Sequence, residues 1–186
     1  SGWQADLEPA EGMETMFVPI ATFPDGSSIT GTVLARFSDM PANTTTLPIL
    51  RGGVAGTADP ASFDTTKATL TRRQSENGQV IPLRSGDWAF ADCSKTTFPG
   101  TPDPRKVCLK SGFDPAYLYE LVYTAKDPKV QGIGFAATRD LNSYLRYGTQ
   151  DDTGSPNILR GRINWTISQG NSQSGNFLRS FIHLGF

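Results

Sequence analysis

Histidine is almost missing from this chain: His183 is the single one in 186 residues. Cysteine is scarce too, with only Cys93 and Cys108. Two thiols and one distant imidazole do not supply the four ligands of a zinc site, so no metal is expected. No other cofactor is expected either. There is no run of roughly 18 or more apolar residues, so no transmembrane helix is expected. An excess of positive charge is also lacking. Lys and Arg number 17 against 18 Asp and Glu, which leaves a net charge of -1 without the basic footprint of a nucleic-acid binder. The opening "SGWQADLEP" has neither a basic n-region nor an apolar h-region, so it is not read as a signal peptide. It also lacks an initial Met, and the chain is read as processed, trimmed or a fragment.

What is present is 37% hydrophobic residues, 19% charged residues, 19 Gly and 13 Pro. That composition suits one soluble globular domain with many turns. Cys93 and Cys108 bracket a segment rich in Pro, Gly and Thr that cannot build a core of its own. A disulfide there would close a loop of roughly 15 residues, worth about 3 kcal/mol in the chain-entropy model. It would imply an extracytoplasmic location, periplasmic or secreted. Two unrelated buried thiols are the alternative.

The first hundred residues read as strands and turns. "MFVPIATF" and "SITGTVLARF" flank Pro24-Asp25-Gly26-Ser27, and "ATLTRRQ" and "QVIPLRS" flank Asn77-Gly78. Proline presets φ in such turns, and Asn-Gly is a strong hairpin signal. Residues 40–64 read as loop and include the sequon Asn43-Thr44-Thr45. After Cys108 the pattern changes. "FDPAYLYELVYTAK" predicts a helix capped by Asp114 with Pro115 in its first turn. "KDPKVQGIGFAATRDLNSYLRYG" predicts a second, with Asp127-Pro128 at its start and Gly148 as its stop. "GRINWTISQG" reads as a strand, and "SGNFLRSFIHLGF" as an amphipathic helix with Phe177, Leu178, Phe181 and Ile182 on one side. Helix, helix, strand, tight turn, helix is an α/β order.

The tight turn carries the chemistry. A nucleophilic serine on a strand-to-helix elbow crowds the backbone two residues to either side, so both positions must be small. Gly170 and Ser174 stand at those offsets from Ser172, and Gly175 adds room where the helix begins. Ser174 fits less well as nucleophile, because its own +2 neighbour is Asn176. The backbone N–H of Gln173 would donate to the oxyanion. Ser172 as an ordinary N-cap is the competing account. His183 follows 11 positions later. On a continuous helix that is about 16 Å along the axis, whereas a base must lie within about 3 Å of the hydroxyl.

"GFDPAYLYELVYTAKDPKVQGIGFAATRDLNSYLRYG" and "ISQGNSQSGNFLRSFIHLGF" resemble a mostly bacterial, largely uncharacterised family of α/β-hydrolase-domain proteins. The family shares an "LYELVYTAKDP…GFAATRD" segment and a "SQSGxFLR" elbow. "FPGTPDPRKVCLKSGFDP" and the opening "SGWQADL" fit it as well, and the resemblance is specific over residues 81–186. It implies an α/β-hydrolase-type sheet, present in part, with a β-rich insertion or lid in the first half. Residues 1–14 would follow a core strand, 15–110 would form the insertion with its stapled loop, and 111–186 would be the hydrolase-core portion. Arg139, Asp140 and Arg179 match the motif and take structural roles. The implied activity is carboxylic ester hydrolysis through an acyl-Ser172 intermediate on a small-molecule ester. In this fold the triad runs Ser, acid, His along the chain. The acid and His are therefore expected outside this chain, on further hydrolase segments or another polypeptide, and the chain alone should be inactive. The alternative is a non-catalytic carbohydrate- or protein-binding module with a vestigial elbow. Phe90, Phe98 and Phe113 would line an acyl pocket or belong to the core, and Trp3, Trp88 and Trp165 read as core.

Overall fold

The computed structural model describes Gly12 and residues 17–51, 54–55, 58–130 and 132–186. The chain divides into two compact units, Ser1–Val130 and Gln131–Phe186. The expected segment 1–14 and Trp3 lie outside the described residues, Gly12 excepted.

The first unit is built of short strands. In order they are β1 (Thr30–Phe37), β2 (Thr46–Pro48), β3 (Leu50–Arg51), β4 (Val54–Ala55), β5 (Thr69–Arg73) and β6 (Ile81–Pro82). There follow β7 (Trp88–Ala89), β8 (Ala91–Asp92), β9 (Thr101–Pro102), β10 (Lys106–Leu109) and β11 (Leu118–Lys126). A four-stranded sheet runs β1-β11-β5-β6, and a three-stranded sheet runs β2-β10-β7. Every described strand pair is antiparallel. The α/β-hydrolase arrangement expected from the sequence is therefore wrong. It needs a parallel sheet flanked by helices, and the described chain has antiparallel sheets and only two α-helices.

The central error concerns "LYELVYTAK", which forms β11 rather than a helix. Its apolar residues satisfy both periods. Leu118, Leu121 and Val122 fall at helical spacing, but Tyr119, Leu121, Tyr123 and Ala125 alternate, and these four are buried. Pairing decides between the two: β1 aligns from Thr30↔Lys126 to Phe37↔Tyr119 on one edge, and β5 pairs with Leu118–Val122 on the other. Alternation on β1 turns Val33, Ala35 and Phe37 inward. Both larger sheets feed one cluster, which joins these residues to Leu70, Trp88, Val107, Leu109 and Phe113. Burying such side chains is worth about 1.5–3 kcal/mol each.

Several local expectations hold. The turn at residues 24–27 closes with Phe23 N–H on the Ser27 carbonyl at 3.0 Å, and Gly26 takes φ 82°. β5 and β6 form the hairpin around Asn77-Gly78. Cys93 and Cys108 are joined by a disulfide. Within the expected loop 40–64 the chain forms β2, β3 and β4.

The second unit holds two helices, α1 (Ile133–Tyr147) and α2 (Gln173–His183). Asp127-Pro128 does not start α1; Gly132 does, at φ 93°. Gly148 ends it as expected, donating its N–H to the Tyr144 carbonyl at 2.7 Å. The Asn157 amide donates to the carbonyls of Tyr144, Leu145 and Gly148 at 2.8, 3.2 and 3.0 Å. One side chain thus adds a second donor to the Tyr144 carbonyl and reaches two more carbonyls where the helix ends. No described residue of this unit is buried.

Candidate active site

The site is the start of α2. The expected strand before it is not formed: residues 163–171 carry no regular secondary structure. A strand exists only with a partner, and none pairs with this segment among the described residues. Trp165 is 87% exposed, which corrects its expected place in the core, whereas Trp88 is buried as expected. α2 itself forms as predicted. Phe177, Leu178 and Phe181 are half-buried, but Ile182 is exposed. Phe135 of α1 stacks on Phe177 with ring centroids 4.6 Å apart, and Phe186 lies 5.4 Å from Phe135. These rings fix the helix that carries the turn.

Ser172 sits immediately before α2 with φ 54° and ψ -121°. A non-glycine residue rarely adopts positive φ, and the cost is about 1–3 kcal/mol when it does. An N-cap serine behaves differently. It keeps an extended backbone and its oxygen accepts a helix N–H. Ser172 makes no such bond, and its hydroxyl has no hydrogen-bond partner among the described residues. The competing N-cap account therefore does not fit.

The side chain that ties the turn together is that of Ser174. Its hydroxyl donates to the Asn171 carbonyl at 2.8 Å and accepts the Asn171 N–H at 2.9 Å. Ser174 N–H also reaches the Asn171 carbonyl at 3.2 Å, and Asn176 N–H reaches the Ser172 carbonyl at 3.0 Å. The turn is as crowded as the spacing suggested. A Cβ on Gly170 would lie 2.5 Å from the Ser174 carbonyl carbon and oxygen and 2.7 Å from Gly175 N. A Cβ on Gly175 would lie 3.2 Å from the Gly170 carbonyl oxygen. Gln173 is the first helical residue. Its N–H therefore falls outside the intrahelical ladder and adds to the positive end of the helix dipole.

The structure brings Ser172, Gln173, Gly170, Ser174 and Gly175 together, and it leaves His183 exposed at the far end of α2. A cavity of about 580 Å³ runs along α2 past Asn176, Arg179 and His183, with Ser172 outside its wall. Arg139 and Asp140 pair with each other at 2.7 Å on the exposed side of α1. That contact holds the Asp140 carboxyl below its ordinary range. Phe90 and Phe113 are core residues of the first unit. No group of three or more His, Cys, Asp or Glu able to hold a metal occurs among the described residues. None of the described helices is long and apolar enough to cross a membrane. The strained φ of Ser172 and the Ser174 clip were beyond sequence reasoning, although the substitution of Ser for the second Gly of the elbow pattern was the visible signal for the clip. Comparison with protein-family models, curated proteins and solved structures finds no match to this chain.

Proposed function

We propose that Ser172 is the nucleophile of a serine acyl hydrolase acting on carboxylic esters. The observation that carries this is a serine held at positive φ at the mouth of a helix, with its hydroxyl uncommitted. Strain of this kind gathers at functional sites. In the reaction a base removes the Ser172 proton while the oxygen bonds to the ester carbonyl carbon. The resulting oxyanion accepts the Gln173 N–H. The carbonyl reforms as the ester C–O bond breaks, and the alcohol leaves with the proton. Water then cleaves the acyl-serine by the same route. The base and its orienting acid come from another segment or chain. An extracytoplasmic setting accords with the disulfide, since such bonds persist in oxidising compartments.

The test is a fluorophosphonate probe applied to the protein as it occurs in its native cell, with the labelled residue located by mass spectrometry. Adduct on Ser172, lost in Ser172→Ala, is the expected result. Adduct on another residue, or none, sinks the assignment. The chain by itself is expected to leave a p-nitrophenyl ester unhydrolysed.

A further inference from the structure

The disulfide of the first unit lies in the wall of a cleft that the proposed ester chemistry does not use. The cleft has a volume of about 450 Å³, within the range of small-molecule sites. Its floor is covalent and fixed. Cys108 and Leu109 are buried, and the Cys93 N–H donates to the Thr46 hydroxyl at 2.8 Å. The loop between the cysteines folds back tightly at Gly100, which has φ 80°. A Cβ there would lie 2.6 Å from Cys93 Sγ and from the Asp92 carbonyl oxygen.

Two ammonium groups, Lys95 and Lys110, belong to the wall, and no carboxylate does. The nearby acids are already engaged. Asp92 pairs with Lys106, which also lies 3.6 Å from Asp103, and Asp87 pairs with Arg84 at 2.9 Å. Lys110 Nζ stands 5.9 Å from the Phe98 ring centroid, and Lys95 has no ion-pair partner among the described residues. The wall also offers two hydroxyls, Thr45 and Thr97, that make no hydrogen bond among the described residues, and the ring of Phe98. A ligand that complements all of this carries one negative charge, several hydroxyls and an apolar ring edge.

We propose that this cleft binds a sugar acid, its carboxylate between Lys95 and Lys110 and its hydroxyls against Thr45 and Thr97. Ammonium-to-carboxylate hydrogen bonds are about twice as strong as neutral ones. Threonine hydroxyls both donate and accept, as sugar hydroxyls require. Phe98 gives the ring an apolar surface.

The experiment titrates the full, disulfide-intact chain with D-galacturonate, D-galactose and inorganic phosphate, and follows backbone amide shifts by NMR. Galacturonate should move the amides of Ser94, Lys95, Thr97 and Lys110 saturably. Galactose, which has a hydroxymethyl in place of the carboxylate, should bind about tenfold more weakly, as expected for loss of a charged hydrogen bond. Lys110→Gln and Lys95→Gln should each weaken galacturonate by a similar factor, while shifts elsewhere in the spectrum stay put and show the fold intact. Equal binding of galactose overturns the role of the charge. Equal binding of phosphate reduces the cleft to a general anion attractor and overturns the sugar. Absence of saturable shifts in these residues overturns the site.

Discussion

Two substitutions of Ser172 separate a strained nucleophile from a helix cap. Ser172→Ala keeps the Cβ, and so keeps the conflict at φ 54°. It removes only a hydroxyl without a hydrogen bond, so the change should stay within about 0.5 kcal/mol. Ser172→Gly removes the conflict. Relief of about 1–3 kcal/mol of strain, less about 0.5–1 kcal/mol for the freer unfolded glycine, leaves a net gain of about 1 kcal/mol at the middle of both ranges and about 2.5 kcal/mol at most. A cap predicts a loss in both variants: about 0.5–2 kcal/mol with Ala and a few tenths with Gly. The readout is native-state hydrogen exchange at α2 amides, which reports the second unit independently of the first. Ser172→Gly should raise protection by about 5-fold, and by about 70-fold at most, and Ser172→Ala should leave it nearly unchanged. Loss of protection in both variants, larger in Ala than in Gly, would refute the reasoning and return Ser172 to a capping role.

Two further outcomes follow from geometry. Gly170→Ala drives a Cβ to 2.5 Å from backbone atoms of Ser174. It should cost about 1–3 kcal/mol at α2 and abolish probe labelling of Ser172, and unchanged exchange at α2 would contradict the crowded turn. Asp92 has its carboxyl held well below the ordinary value by Lys106 first and Ser94 next. Its contribution is thus complete above the unfolded pKa of about 4, and it is lost as the pH falls through the folded value. The urea midpoint of the first unit should drop below that pH more steeply in the wild type than in Asp92→Asn, whereas parallel curves would dismiss the pair.

How much of this was legible differs by feature. Short-range chemistry was readable: the Asn77-Gly78 hairpin, the Gly26 turn, the cysteine staple, the Gly148 stop and the small residues around Ser172. Asp114-Pro115 was misleading for a physical reason. Asp114 Oδ1 accepts the Ala116 N–H at 2.9 Å, a bond of the kind an N-cap aspartate makes, yet here it closes a turn before a strand. The same local bond precedes either element, and only partners far along the chain choose between them. Those partners lie beyond any window of periodicity, for Phe37 meets Tyr119. "INWTIS" erred in the other direction. Its residues suit a strand, and the described chain gives it no neighbour.

The two units should also melt differently. Heat capacity rises on unfolding in proportion to the apolar surface newly wetted. The first unit encloses Trp88, Tyr119 and Leu121 almost completely, and it should give a sharp calorimetric peak with a clear step in baseline. The second has no buried residue among those described. Little of its surface remains to be wetted, so its transition should be broad and almost without a baseline step. Any molecule that covers its aromatic face should announce itself calorimetrically, as a step that was not there before.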